Sequence, residues 1–166
     1  MWDSLIAWTI HFFSNFPHWL ATILIAMIPI GELRIALPVA VFHYHFPLWQ
    51  AFILAVIGNV IPALIILWGA GRFHIWLEKH AGFWGKHWVN YLASVQRKFA
   101  KYQKYELWGL LIFIGSSLPG TGAYSGALAA FILGIQFKKS WPYVVVGVII
   151  SGILTALVTV GADKIF

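Results

Sequence analysis

Residues 18–46 read HWLATILIAMIPIGELRIALPVAVFHYHF, and this stretch decides the fold. Two apolar runs, 18–30 and 35–46, flank Gly31, Glu32, Leu33 and Arg34. Each run falls short of the roughly 20 residues a helix needs to cross a hydrocarbon core of about 30 Å. One continuous span would put two charges at its centre, where each costs at least about 2.5–3.5 kcal/mol. Pro29, Gly31 and Pro38 break the helical pattern at the same place. The segment therefore predicts a helical hairpin that enters and leaves a membrane on one face. Broken backbone of this kind is tolerated only inside protein or beside a water-filled cavity.

Outward from the hairpin, residues 47–70 (PLWQAFILAVIGNVIPALIILWGA) carry no charge and predict a spanning helix. Trp49 and Trp68 stand near its ends, where tryptophan settles at membrane–water boundaries. Gly58, Asn59 and Pro62 lie mid-span. Basic residues then crowd into 71–105, at Arg72, Lys79, Lys86, Arg97, Lys98, Lys101 and Lys104. From 88 to 105, Trp88, Leu92, Val95, Phe99 and Tyr102 recur at helical spacing opposite Arg97, Lys101 and Lys104. That pattern predicts a basic amphipathic helix on an anionic membrane surface, on the cytoplasmic side. On the N-terminal side, residues 2–14 are too short to span and read as an interfacial helix, stopped at Asn15-Phe16-Pro17. No cleaved signal peptide is expected there.

The remainder repeats the order. In 106–135 two short apolar runs flank Pro119, Gly120, Thr121 and Gly122, and 139–162 predict a second span. Sliding one half over the other sets Pro29 on Pro119, Glu32 on Gly122, Arg34 on Tyr124 and Ala40 on Ala130. A hairpin does not cross and one span does, so the second unit starts on the opposite face. The expected fold is an all-α integral membrane domain of two inverted repeats, each a re-entrant hairpin plus a transmembrane helix. Repeat one is 17–70, the basic linker 71–105 and repeat two 106–162. Inverted repeats of broken helices are a recurrent transporter design, with the site near the midplane.

Composition agrees. Of 166 residues, 61% are hydrophobic and 10% charged, against about 50% and 25% in a soluble domain. The formal net charge of +6 is read as membrane topology and attraction to anionic lipid, not as a nucleic-acid footprint. There is no Cys, which excludes disulfides, thiolate metal sites and a cysteine nucleophile.

Gly-Glu-Leu-Arg-Ile-Ala-Leu-Pro (31–38), Gly-Asn (58–59) and Leu-Pro-Gly-Thr-Gly-Ala-Tyr-Ser-Gly-Ala-Leu-Ala-Ala (118–130) resemble the putative small multi-drug export proteins. That family looks like a compact relative of the DedA/VTT superfamily of re-entrant-loop membrane proteins. The resemblance implies a transporter with two opposed hairpins, and the larger relatives imply polyprenyl-phosphate or phospholipid as substrate. This chain is shorter than those relatives, and it has Tyr124, not a basic residue, opposite Arg34.

Glu32 and Arg34 are the only formal charges at either hairpin tip. A carboxylate withdrawn from water favours its neutral form, so Glu32 is the candidate for proton coupling. Arg34 has the planar fork of donors that suits a phosphate. The structural alternative is that the two merely hold the turn. Gly120, Thr121 and Gly122 offer backbone N–H groups at a helix start, with Thr121 as a candidate N-cap, and are candidate substrate contacts. The glycines serve equally well for close helix packing. Tyr124, Ser125 and Asn59 complete the candidate substrate set, each with interhelical hydrogen bonding as its alternative.

His43 and His45 are two apart in a loop, and interfacial histidine is the better reading than a metal site. No nucleophile–base set, P-loop or metal quartet is present, so neither an enzyme nor a cofactor is expected. The reading is a multi-pass protein of a bacterial or archaeal cell membrane, associated with membrane lipids and forming a homodimer. Its expected activity is proton-coupled translocation of an amphipathic phosphate-bearing lipid. The alternatives are proton-coupled export of small cationic drugs and a non-transporting membrane-organising role carried by the basic helix.

Overall fold

A computed structural model describes residues 12–13, 15–29, 31–80, 103–116 and 122–163. The described regular structure is all helical. In chain order it comprises α1 (His18–Ala26), α2 (Glu32–Pro38), a π-turn (Val39–His43), α3 (Leu48–His80), α4 (Gln103–Gly115), α5 (Ala123–Ile132) and α6 (Phe137–Asp163). The chain divides into two compact units. One takes residues up to Pro62 together with Val148 onward, and the other takes Ala63–Gly147. Each unit thus holds one pair of short helices and one half each of α3 and α6.

In the first unit, α1 packs on α2 and on the π-turn. Pro17 stands at the start of α1, where its missing N–H costs nothing. Thr22, fully buried, satisfies its hydroxyl on the His18 carbonyl at 2.9 Å. Met27 closes α1, and the chain turns so that the Glu32 N–H reaches back to the Ile28 carbonyl at 3.0 Å. Pro38 has no N–H to give the Arg34 carbonyl, and the helix relaxes directly after it into the wider π-turn. At 1.5 Å per residue, α1 and α2 are each well short of a bilayer crossing.

In the second unit, α4 packs on α5. Gly134 ends α5 with a positive φ of 75°. The Ile135 N–H bonds the Ala130 carbonyl at 2.9 Å and the Gly134 N–H bonds the Phe131 carbonyl at 3.0 Å. This is the Schellman arrangement, in which glycine takes the left-handed position, and it turns the chain directly into α6.

Two helices are long and apolar enough to cross a membrane, Leu48–Arg72 and Phe137–Gly161, each of 25 residues with mean hydropathy 2.5. Their exposed side chains carry the argument further. Trp49, Ile53, Ile57, Ile61, Ile65 and Trp68 form one exposed apolar row along α3. The two tryptophans are separated by about 28 Å at 1.5 Å per residue. That matches a hydrocarbon core of about 30 Å with an aromatic ring at either boundary. Beyond Trp68, the exposed Arg72 lays its guanidinium over the indole, 3.7 Å from the ring centroid. On α6, Trp141, Val146, Ile150, Ile153, Leu154, Leu157 and Val158 are likewise exposed. Faces this apolar are stable in lipid and a liability in water.

The helix ends differ from the sequence boundaries. The α3 helix runs on to His80, ten residues into the segment read as linker, and α4 begins at Gln103, inside its other end. Nothing between 71 and 80 forces a helix to stop, because basic side chains are good helix formers. The expected interfacial helix at 2–14 lies outside the described residues except at 12–13. The expected basic helix at 88–105 lies outside them except at 103–105.

One contact recurs in both units. In the first, a side chain at Gly58 of α3 would meet Ala26 Cβ at 2.8 Å and Ile23 Cα at 3.0 Å, both on α1, and would meet the Ile23 carbonyl oxygen closer still. In the second, a side chain at Gly147 of α6 would meet Ile114 Cβ at 2.8 Å and the Leu111 carbonyl oxygen at 3.4 Å, both on α4. In each case a glycine of a long helix admits the first short helix of a pair.

Candidate functional site

The site grows from Gly58. Because that residue has no Cβ, the α1 backbone lies directly against α3. Pro62, four residues on, has no N–H for the Gly58 carbonyl, which opens the α3 ladder at the same level. The next residue, Asn59, is 1% exposed. Its Nδ2 donates to Oε2 of Glu32 at 3.4 Å, so the spanning helix and the tip of the short-helix pair meet through these two side chains.

Glu32 itself is half-buried, and its φ is +48°, in the left-handed region. Glycine, asparagine and aspartate take that conformation readily and glutamate does not, so the tip stores strain on the order of 1–3 kcal/mol. Such strain persists only where the surroundings fix it. Here the Glu32 N–H bond to Ile28, the buried Gly31 and Leu33 on either side, and Asn59 do so. The Asn59 Oδ1 is buried and has no hydrogen-bond partner. An unpaired amide oxygen away from water costs about 1–3 kcal/mol. Arg34, half-buried, follows on the first turn of α2, and its N–H bonds the Gly31 carbonyl at 3.1 Å.

The second tip is arranged differently. Gly122 stands at the N-cap of α5 with fully extended backbone, φ −178° and ψ −171°. Thr121, expected there from the sequence, and Gly120 before it lie outside the described residues. The Gly122 N–H donates to Ser125 Oγ at 3.0 Å, and the Ser125 hydroxyl returns to the Gly122 carbonyl at 3.3 Å. Two groups expected to face a ligand therefore satisfy each other and close the helix start. Gly126 packs on Ile114 of α4, and buried Ala123, Ala127 and Ala130 continue that close face. Tyr124 is half-buried on the first turn of α5.

Near the start of α1, His18 stacks on Tyr44 with ring centroids 4.6 Å apart and planes 13° apart. His43 tilts against the same ring at 5.2 Å. The Tyr44 hydroxyl is buried without a partner, and burial pushes the phenol above its ordinary value of 10.0. Among the described residues no group of three or more His, Cys, Asp or Glu could hold a metal ion.

The sequence reading passed over one polar feature. Ser151, Thr155 and Thr159 form a buried row on α6. Thr155 donates to the Ser151 carbonyl at 2.9 Å and Thr159 to the Thr155 carbonyl at 2.8 Å. Their regular spacing of four was the available signal, and both threonine hydroxyls are satisfied within the helix.

With the geometry in view, the sequence profile of the family described as Putative small multi-drug export protein matches residues 32–154. The chain belongs to that family. The matched region opens at Glu32 and contains Arg34, Asn59, the second tip and most of α6. No curated protein and no solved structure matches the chain. An export family together with two membrane-capable helices makes this a membrane protein.

Proposed function

We propose that the protein is a proton-coupled membrane transporter, with Glu32 as the group that alternates between proton and substrate. The carrying observation is the Asn59–Glu32 contact, a strained carboxylate at a break in the backbone, held by a buried amide of a spanning helix. Ionisable side chains are retained at membrane depth where they serve a pathway.

The architecture that supports this reading is two inverted repeats in a multi-pass protein of the cell membrane. Each repeat contributes a re-entrant helix pair, and the helices of each pair are too short to cross. The matching glycine contacts at Gly58 and Gly147 are what a repeated unit produces. The polar pair occurs once. The second repeat has Gly122 where the first has Glu32, and the residue after its packing glycine is Val148, not asparagine. One carboxylate at one of the two tips gives one proton-binding site per chain.

Small amphipathic cations fit this site better than phosphate-bearing lipids. A deprotonated Glu32 is a counter-ion for a cation, and a proton arriving at Oε2 cancels that attraction and releases the cargo. The anion reading leaned on the second tip, where the Gly122 N–H and the Ser125 hydroxyl are already paired. Arg34 is the observation that favours the second reading, a phosphate-bearing lipid such as a polyprenyl phosphate or phospholipid. The polar tip of so small a bundle needs sealing from lipid, which supports a homodimer.

The test is ethidium movement in liposomes containing the purified chain under an imposed pH gradient. Glu32→Gln should reduce movement to that of empty liposomes, and Arg34→Ala should leave most of it. If Glu32→Gln carries ethidium as the wild type does, the cation reading fails. If Arg34→Ala instead abolishes exchange of a labelled anionic phospholipid between leaflets, the lipid reading replaces it.

A further inference from the structure

The Asn59 amide has two ends, and only one is in use. Its Nδ2 donates to Glu32 Oε2, while Oδ1 is enclosed and unpaired in a residue 1% exposed. An ionised carboxylate can only accept hydrogen bonds, so it must meet the amide N–H. A protonated carboxyl carries an O–H donor and needs an acceptor. The amide oxygen is that acceptor, one half-turn of the side chain away.

We propose that Asn59 is the positioning residue that reads the protonation state of Glu32, turning its amide from N–H toward carboxylate to C=O toward carboxylic acid. This rests on the transport reading above and deepens it. A proton from the aqueous side adds to Glu32 Oε2. The O–H so formed donates to Asn59 Oδ1, and the displaced N–H is left inside α3. No other bond forms or breaks. The exchange links the charge at the tip to the spanning helix. Gly58 and Pro62, on either side of Asn59, are where that helix is least constrained: one has no side chain and the other removes a ladder bond. The long contact of 3.4 Å, at the outer limit of a hydrogen bond, leaves the amide easy to turn.

The other titratable groups of the same unit, among its described residues, are Arg34 on α2, His18 on α1, His43 in the π-turn, Tyr44 and His45 in the following loop, and Asp163 at the end of α6. The described halves of α3 and α6 that belong to this unit present no ionisable side chain up to Gly161. A pH response at Asn59 that depends on Glu32 is therefore separable from the histidines by Glu32→Gln.

The experiment is infrared difference spectroscopy of the full chain in vesicles of phosphatidylcholine and phosphatidylglycerol, recorded across a pH titration. Asn15 and Asn90 are replaced by glutamine, and the protein is grown on asparagine carrying a carbon-13 amide. Asn59 is then the only labelled carbonyl. As the pH falls, the carboxylic-acid band of Glu32 should grow. The labelled amide band should move to lower wavenumber with the same midpoint, as a carbonyl does on accepting a hydrogen bond. Both changes should be absent in Glu32→Gln. A carboxyl band that grows while the amide band stays fixed overturns the role of Asn59 and leaves the transport reading standing. If no Glu32 carboxyl band appears at any pH, the transport reading fails as well. Asn59→Leu gives the second measurement. If the amide serves both states, the Glu32 midpoint should stay within a few tenths of a pH unit. A clear upward shift would mean that Asn59 holds only the charged form.

Discussion

Adding one methyl group at Gly58 is expected to push α1 away from α3. The new Cβ would stand 2.8 Å from Ala26 Cβ and 3.0 Å from Ile23 Cα, and closer again to the Ile23 carbonyl. Carbon atoms rest at about 3.5–4.0 Å, so α1 must retreat by about 1 Å. Two of those neighbours are backbone atoms and cannot swing aside as a side-chain tip can. Overpacking of this kind costs about 1–3 kcal/mol. Alanine also gains up to about 1 kcal/mol over glycine in a helix. Gly69→Ala isolates that gain, because Gly69 lies on the same helix and a methyl there would meet nothing within 4 Å. The difference between the two variants is then about 1–3 kcal/mol, or about 2–12 °C in Tm for a chain of this size. Thermal unfolding of both purified variants in one detergent reads it directly. If Gly58→Ala melts as high as Gly69→Ala, α1 does not press on α3, and the placement of Asn59 against Glu32 loses its support. A retreat of about 1 Å would also part Asn59 from Glu32, which are 3.4 Å apart, so ethidium movement should fall with stability.

Tyr44→Phe should stabilise the protein by about 1–3 kcal/mol, because it removes a buried hydroxyl with no partner. The folded phenol is raised above 10.0, so its contribution is intact below that pH and is lost as the pH climbs through the raised value. Tyr44→Phe should therefore also blunt the alkaline fall in Tm. Ile57→Asp places a charge near the middle of the exposed α3 row and should cost about 3 kcal/mol of insertion, measured as protein released by alkaline carbonate washing. A variant that stays fully membrane-bound would argue against a lipid-facing row. Ser125→Ala removes the acceptor of the Gly122 N–H and should lower stability by about 1 kcal/mol, read by denaturant titration. No change in stability there would return the serine hydroxyl to the candidate ligand contacts.

Hydropathy and charge, read along the chain, were enough to place both long helices, both pairs of short helices and the tip residues Glu32 and Arg34. These follow from local rules: a bilayer fixes the length of an apolar run, and proline, glycine and charge mark where it breaks. Asn59 was legible as a polar residue in an apolar span, but not its partner, because which helix faces it depends on packing. Three things were decided by the tertiary structure alone. Gly58 admits the α1 backbone, since only a close approach of another chain segment distinguishes it from the unencumbered Gly69. Glu32 is held left-handed, a conformation its own sequence disfavours and its neighbours impose. Ser125 turns back on Gly122, leaving Glu32 and Asn59 as the pair that joins a tip to a spanning helix. Sequence determines what each segment can do in a membrane, and the packed structure decides which side chains meet, because contacts between distant residues have no local signature.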